Sequence, residues 1–537
     1  MSYLTQKRLF HTGLFLVVAG LALMVKGTWG KVLPWKDWPV RGAFYYNNFY
    51  QDSGLSFEGA YMARKAMNLE NDQDSVLHFL PPDPNQPGER KFVLVSNLTN
   101  GLSKEEFFVF RRQQEAIRWS HYRVRLFDSA GAVIREGDFN IDDPSFASPP
   151  DLYQSSSFQF ALMTLPFQEG FQQNLLGWTN PQIAFEISLE VLKDEPVKTP
   201  AGTFACHHVR MGPVISDYFG TVVGKLVRPF APAYDIWYQA QEPRVLARFE
   251  GGVAVSPSLD IPVVIRELVK MDHSAPPYSP SPALAPALPA PSAEGLLEEM
   301  TYQVSYEDPT LDMSKRPFAQ RILDLDQPLV SHVLIETGGA DPSARKIYFN
   351  EQLRNGTTRV TALELQKQPS FRWKAIWIEQ KNQEGEVIRR EYNQVSHPAF
   401  AYPPEVITPQ GMWLTLRDLR YEVGAKSTGF IYMNPTLMAN VTIQMSDRET
   451  IHVPAGTFEC WKVEVTPHAS EYLGSAVGRL VQRFVPNYTI WIETATSHRL
   501  IKYHGVLGQM PSTLFIYFNF ELTSYSQTGR RPAEKSR

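Results

Sequence analysis

Most of this chain consists of two related copies of one sequence. The heptapeptide Pro-Ala-Gly-Thr-Phe-Ala-Cys at 200–206 returns as Pro-Ala-Gly-Thr-Phe-Glu-Cys at 454–460, an offset of 254 residues. The offset holds without a gap from about residue 118 to about residue 268, and 22 of the 52 positions between 200 and 251 are identical in the two copies. Because self-similarity of this kind marks repeated structural units, we expect two homologous modules. Length alone would favour about three or four domains.

The copies also set the predicted boundaries. The first module is placed at 41–270 and the second at 298–527, with a Pro/Ala-rich linker at 271–297 between them and a basic tail at 528–537. Alternating proline and small residues favour a semi-rigid, polyproline-like linker. Upstream of residue 118 the copies drift, since Asn100-Gly101 matches Asn355-Gly356 at an offset of 255.

A long apolar run lies near the N-terminus at 9–25, directly after Lys7 and Arg8. As a helix it would extend roughly 25 Å, which favours a transmembrane signal anchor over 9–27 behind a short cytoplasmic segment at 1–8; a cleaved signal peptide is the alternative. Basic residues flank both ends of the run, so charge alone does not fix the membrane orientation.

The repeated segments read as strands joined by tight turns. Proline at 200 and glycine at 202 fit a type I turn that closes a hairpin. In the later segment Tyr234 to Tyr238, period-two alternation puts the tyrosines and Ile236 on one face and Trp237 on the other. We therefore predict a mainly β fold: two tandem homologous antiparallel β-barrel or β-sandwich modules, each with a short helix, behind the N-terminal transmembrane helix.

The short helix is predicted at 216–227 and again at 470–481. A serine begins each segment, an acidic residue follows it, and basic residues lie at its end, which suits the helix dipole. Two glycines four residues apart lower helix propensity and point to a close backbone contact. The helix either plugs one end of the module or acts as a lid or membrane-touching element.

Composition removes several classes of protein. The formal charge of −4 lacks the basic excess of a nucleic-acid binder, so no nucleic-acid partner is expected. Two cysteines in 537 residues exclude a disulfide-rich scaffold, an iron–sulfur protein and a zinc site built on several thiolates.

Few residues carry recognisable chemistry. Cys206 and Cys460 hold equivalent strand positions and are expected to be small buried hydrophobes, with an inter-module bridge or a reactive thiol as alternatives. His207-His208 is a weak metal signal, because neighbours on a strand face opposite ways and the second copy has Trp461-Lys462 there. Since no catalytic or cofactor motif is found, we expect no metal, no cofactor and no enzymatic activity.

The motif residues that recur, Pro200, Gly202, Phe204 and Cys206 with Pro454, Gly456, Phe458 and Cys460, are followed in each copy by a Tyr-x-Ile-Trp strand. This arrangement resembles an uncharacterised family of bacterial exported β-rich domains, over roughly 185–268 and 439–522. The resemblance implies a barrel-like or sandwich fold and an envelope location, single-pass in the inner membrane with the bulk of the chain in the periplasm. It supplies no catalytic residues.

Three functional hypotheses follow from these features. The favoured one is a non-enzymatic scaffold or binding protein of the bacterial envelope, whose partners are the membrane and other envelope proteins. The second is a carrier of a lipid or other apolar ligand in a β-barrel cavity, and the third is an unrecognised envelope hydrolase. The candidate ligand-binding residues are Tyr218, Tyr234, Trp237, Tyr472, Tyr488 and Trp491, although aromatics at the spacing of the Tyr-x-Ile-Trp strands are more often ordinary core residues.

Overall fold

The described part of the chain is mainly β, as the sequence predicts. The computed structural model describes Leu33 and residues 42–50, 72–98, 100–114, 116–146, 148–149, 151–154, 157–180, 183–214, 233–242, 244–252, 263–292, 295–306, 328–338, 341–367, 371–400, 406–407, 411–417, 421–434, 437–468, 482, 487–507 and 516–527. The predicted anchor at 9–27, the predicted helices at 216–227 and 470–481 and the basic tail lie outside these residues. Among the helices that are described, none is long and apolar enough to cross a membrane.

Residues 42–272, here called the N-terminal half, contain fourteen described strands. Their bounds are β1 Gly42–Tyr50, β2 Asp72–Phe79, β3 Glu89–Leu98, β4 Ser103–Gln113, β5 Ala116–Phe127, β6 Val133–Asn140, β7 Leu152–Gln154, β8 Gln172–Asn180, β9 Ile183–Val191, β10 Glu195–Thr199, β11 Gly202–Pro213, β12 Tyr234–Gln239, β13 Leu246–Gly252 and β14 Val263–Asp272. A short helix, α1 Phe158–Ala161, continues into a 3-10 turn at Leu162–Thr164, and another 3-10 turn covers Pro144–Phe146.

Residues 296–527, the C-terminal half, contain thirteen described strands. Their bounds are β15 Leu296–Tyr306, β16 Pro328–Gly338, β17 Asp341–Leu353, β18 Thr358–Lys367, β19 Phe371–Lys381, β20 Val387–Asn393, β21 Val406–Ile407, β22 Lys426–Asn434, β23 Leu437–Val453, β24 Gly456–Pro467, β25 Tyr488–Glu493, β26 Leu500–Leu507 and β27 Ile516–Gln527. The helix α2 Met412–Leu416 and a 3-10 turn at Pro398–Phe400 complete the regular structure.

The strand order of the first half returns in the second. In the N-terminal half the pairing runs β6-β5-β4-β3-β2-β1-β14-β13-β12-β11-β9-β8-β7, with β10 beside β11. In the C-terminal half it runs β20-β19-β18-β17-β16-β15-β27-β26-β25-β24-β23-β22-β21. The single strand β23 covers the positions of both β9 and β10. All of these pairs are antiparallel except β7–β8 and β21–β22.

Each half buries its own hydrophobic core on one face of the sheet, called here the inner face. Strands from both wings of the N-terminal half, β3 to β5 and β11 to β13, contribute to one cluster, so the sheet curls over a shared core. The helix α1 lies within that core, where the rings of Phe160 and Phe92 are 4.7 Å apart. A second cluster fills the C-terminal half.

The two halves are joined edge to edge into one sheet of 27 described strands. Strand β6 pairs antiparallel with β20, and Gly137 is paired with Glu391. At the offset of 254, Glu391 is the counterpart of Gly137 itself, so the pairing is symmetric about this point. The junction, called here the seam, therefore has the self-complementary form of a two-fold symmetric interface.

Side chains at the seam repeat the symmetry. Asn382 Nδ2 donates to Asp143 Oδ2 over 2.9 Å in a buried hydrogen bond. The counterparts of these residues, Asp128 and His397, face each other with 3.8 Å between Oδ2 and Nε2. Both sides of the seam thus use the same pair of positions.

The segment 275–292 between the halves is not a free spacer; we call it the strap. On the N-terminal half, the hydroxyl of Tyr278 donates to Glu105 over 2.7 Å, and Glu105 also forms a buried ion pair with Arg125. Arg125 in turn donates to the carbonyl of Ala283. The strap therefore covers a charged pair on the outer face of β4 and β5.

Further along, the strap contacts the C-terminal half. Trp377 Nε1 donates to the carbonyl of Pro286 over 3.1 Å, and the backbone N–H of Ser292 donates to Glu336 over 2.7 Å. Leu288 packs against a small outer cluster around Tyr348 and Trp377. The expected semi-rigid linker is thus a bound segment with contacts on both halves.

Candidate functional site

The repeated heptapeptide builds a hairpin that is tied down at its turn. Thr199 pairs with Gly202, so the loop has two residues, and Gly202 has a φ of +140°, which favours glycine. The backbone N–H of Ala201 donates to the carbonyl of Leu268 on β14 over 3.1 Å. In the second copy, Ala455 donates in the same way to Leu522 over 3.0 Å. The motif therefore fixes the hairpin against the neighbouring part of the sheet.

Cys206 and Cys460 are fully buried and are not bonded to each other. Burial raises the pKa of each thiol to about 12. Phe204 and Trp237 pack beside Cys206 in a small outer cluster. These surroundings are those of a packed side chain and leave little thiolate at neutral pH.

The candidate tryptophans lie on the outer face. Trp237 Nε1 donates to Glu195 over 2.7 Å, and Trp491 Nε1 donates to Glu449 over 2.9 Å. The two indoles are thus held by equivalent glutamates in the two halves. Trp237 packs in the small cluster with Cys206, whereas Trp491 also packs against the C-terminal core.

The candidate tyrosines lie on the inner face, where Tyr234 and Tyr488 pack against the two cores. Burial raises the pKa of each to about 12. Each ring lies over a glycine of the next strand: a Cβ on Gly251 would be 2.4 Å from Tyr234 Cδ1, and one on Gly505 would be 2.6 Å from Tyr488 Cδ1. Tyr218 and Tyr472 lie outside the described residues. The four described candidates therefore occupy opposite faces and do not form one site.

His207 and His208 have separate partners. His207 Nδ1 is 2.9 Å from Asp194, whereas His208 Nε2 is 2.7 Å from Asp235 and its ring stacks on Trp237. In the described part of the chain, no group of three or more His, Cys, Asp or Glu side chains is arranged to hold a metal ion.

A cluster of polar side chains lies inside the N-terminal half, and the sequence did not predict it. We call Tyr46, Asn48, Ser75, Gln159 and Arg266 the inner polar cluster. Arg266 donates from Nε to Asn48 over 2.8 Å and from Nη1 to Gln159 over 2.9 Å. Ser75 lies directly opposite Tyr46 in the β1–β2 ladder. These contacts and pairings make the five side chains one contiguous group.

Burial is severe for most of this cluster. The exposed fraction is 1% for Tyr46 and Ser75 and 7% for Asn48 and Gln159, while Arg266 is half-buried. Desolvation raises the pKa of the Tyr46 hydroxyl well above its usual value, and the charge of Arg266 opposes that shift. The hydroxyl is therefore protonated and available as a hydrogen-bond donor.

The same places in the C-terminal half are mostly apolar. The ladder registers match Tyr46 with Tyr302, Asn48 with Val304 and Arg266 with Phe520. Tyr302 is satisfied, since its hydroxyl donates to the carbonyl of Leu500 over 3.0 Å. Its ring stacks on Phe520 with 4.5 Å between centroids.

One feature of the sequence indicates this cluster. Arg266 stands where the second copy has Phe520, within the part of the duplication that aligns without a gap. A cation at an inner-face strand position, replaced by an aromatic in the copy, marks a place where the halves differ in chemistry. Its partners on β1 lie upstream of residue 118, where the alignment drifts, and so were not recognised.

No family model and no curated protein matches this chain. Similar solved structures include an exported protein with a YmcC-like fold from Bacteroides fragilis, 13% identical over 45% of this chain and 100% of that one, with a TM-score of 0.20. A β-barrel-like protein of unknown function from Brucella abortus is 10% identical over 44% of this chain and 98% of its own, with a TM-score of 0.26. The lipoprotein LppX from Mycobacterium tuberculosis is 12% identical over 43% and 87%, with a TM-score of 0.18. The three are described as an exported protein, a β-barrel-like protein and a lipoprotein, and TM-scores this low carry no argument about this chain.

Proposed function

We propose that this chain is a non-enzymatic protein of the bacterial envelope in which two homologous β-modules, at 41–270 and 298–527, act as a single scaffold for other envelope proteins. The seam carries the proposal. Edge strands of two separate modules would expose unpaired backbone groups, whereas β6 and β20 pair with each other and the strap crosses between the halves. Two modules joined in this way, and anchored to the membrane by the apolar segment at 9–27, suit a protein that holds its partners in a fixed arrangement.

A crosslinking experiment tests the scaffold role. The full chain, carrying a photoreactive residue at an exposed position such as Leu284 (79% exposed) or Val423 (55% exposed), is expressed in bacteria and irradiated in intact cells. We expect defined heavier adducts that persist through affinity purification. The matched control carries the photoreactive residue at buried Val463 (0% exposed). Membranes that yield only the uncrosslinked chain from every exposed position would refute the proposal.

The second candidate is a carrier of a lipid or other apolar ligand. The apolar inner face of both halves favours this role. The two faces differ in side-chain type, because the aromatic Phe92, Phe108 and Phe110 of the N-terminal core are replaced by the aliphatic Ile347, Leu363 and Leu365. Native mass spectrometry with solvent extraction on the purified chain tests this role. A stoichiometric apolar molecule would favour the carrier, and an apo mass would favour the scaffold.

The hydrolase hypothesis is the weakest of the three. A catalytic site of the duplicated module would be expected at the same place in both copies. The inner polar cluster does not meet that expectation, because Phe520 and Val304 replace Arg266 and Asn48. We therefore propose no reaction for this chain.

A further inference from the structure

Three buried polar atoms in the inner polar cluster have no hydrogen-bond partner among the described residues. They are Tyr46 Oη, Asn48 Nδ2 and Ser75 Oγ. Buried polar groups in folded proteins are nearly always paired, so unpaired ones at a single place call for an explanation. The three lie on neighbouring positions of β1 and β2, all on the inner face.

The three atoms share one chemical property. The amide nitrogen of Asn48 can only donate, and the hydroxyls of Tyr46 and Ser75 each bring an O–H. Asn48 is oriented by Arg266, which takes up its carbonyl oxygen and leaves its N–H group free to donate. Arg266 adds a positive charge directly beside these donors. The missing partner is therefore an acceptor, and a negatively charged one suits the cation.

We propose that the inner polar cluster is a binding site for an oxyanion, a carboxylate or phosphate group, whose oxygens accept hydrogen bonds from Tyr46, Asn48 and Ser75 beside the Arg266 guanidinium. The group is either the acidic end of a chain-bearing ligand or a small free anion. Because Arg266 is the least buried of the five side chains, we expect the ligand to reach the cluster from its side. The site does not depend on the scaffold role.

The second half of the chain provides an internal comparison. Where the N-terminal half has Asn48 and Arg266, the C-terminal half has Val304 and Phe520, and Tyr302 is satisfied by the Leu500 carbonyl. Among the described counterparts, only Ser331, which matches Ser75, keeps an unpaired hydroxyl. The cation and two of the three unpaired donors thus occur in the N-terminal half and not at the matching C-terminal positions, and we expect one oxyanion per chain.

Calorimetric titration of the full chain in lipid nanodiscs tests the site with three probes: octanoate, octanol and inorganic phosphate. Octanol has the chain of octanoate without its charge, and empty nanodiscs correct for partitioning into lipid. The variants are Arg266→Met and Tyr46→Phe, which remove the cation and one donor. The control is Arg248→Met, which removes an arginine that lies on the outer face and pairs with Glu267.

Octanoate is expected to bind at least tenfold more tightly than octanol, with a stoichiometry of about one. Arg266→Met should weaken its binding at least tenfold and Tyr46→Phe about three- to tenfold, while Arg248→Met leaves it unchanged. Phosphate binding with the same variant pattern, in place of octanoate, identifies a small free anion and also supports the site. If Arg266→Met does not fold, Tyr46→Phe alone decides. The proposal would be overturned if neither octanoate nor phosphate binds, if octanol binds as tightly as octanoate and phosphate does not bind, or if binding of the anion is insensitive to both variants.

Discussion

In both halves a glycine lies beneath a tyrosine ring, which leaves no room for a larger side chain at that position. Gly251 and Gly505 let Tyr234 and Tyr488 lie flat across the adjacent strand. We expect Gly251→Ala and Gly505→Ala each to destabilise the protein by about 1–3 kcal/mol, since the new methyl group overlaps the ring. Urea unfolding followed by intrinsic fluorescence measures the shift in midpoint.

Gly88→Ala is the matched control for these two variants. A Cβ at Gly88 would meet only Arg112 Cβ, at an ordinary contact distance of 3.8 Å. The midpoint should therefore change little in this variant. Equal effects of Gly88→Ala and Gly251→Ala would show that loss of glycine, and not overlap with the ring, sets the cost.

Burial also controls the reactivity of the two cysteines. Because burial raises the pKa of Cys206 and Cys460 to about 12, thiolate is scarce at pH 8, and alkylation proceeds through thiolate. Iodoacetamide at pH 8 should leave both thiols of the folded protein unmodified over an hour. In guanidinium chloride both should react, which mass spectrometry reports as two adducts. Rapid labelling of the folded chain would contradict the packed environment described above.

At the scale of elements, the seam is held by paired edge strands and by the buried hydrogen bond between Asn382 and Asp143. We expect Asp143→Ala and Asn382→Ala each to destabilise the chain by about 1–3 kcal/mol, because each removes the buried hydrogen bond to a charged group across the seam. In a double-mutant cycle the two effects should not add, with a coupling energy of about 0.5–3 kcal/mol.

The control for the seam is an ion pair within one half. Lys374 Nζ and Glu364 Oε1 are 2.9 Å apart, with half of the lysine side chain exposed, so screening by water keeps their coupling small. The same cycle on this pair should give no measurable coupling. If the seam pair also shows none, the hydrogen bond does not hold the halves together.

The sequence predicted those structural features that depend on residues close together in the chain. Period-two alternation placed Ile236 and Trp237 on opposite faces, as observed, and the turn chemistry of Pro200 and Gly202 predicted the hairpin. The seam depends on register between strands that lie 254 positions apart, and no local pattern encodes it. The inner polar cluster could not be predicted for a related reason, because Asn48 and Arg266 meet only through the pairing of β1 with β14, which are far apart in sequence.

At the scale of the whole molecule, the strap and the seam make independent connections between the halves. The composition of the strap, rich in proline and alanine, predicted a spacer, because it shows no core-forming pattern. Its attachment depends on side chains that the sheet supplies, above all Glu105, Trp377 and Glu336. We therefore expect the halves to stay together without covalent continuity of the strap.

Cutting the strap tests whether the seam alone holds the halves together. A site-specific protease sequence inserted after Leu284, whose side chain is 79% exposed, allows the strap to be cut in the folded full chain in detergent. The two fragments should still elute together on gel filtration, at the position of the uncut protein, because β6 and β20 remain paired. The same cut in an Asp143→Ala, Asn382→Ala background should release a measurable share of separate fragments. Separation after cutting the strap alone would mean that the covalent link, and not the seam, joins the halves.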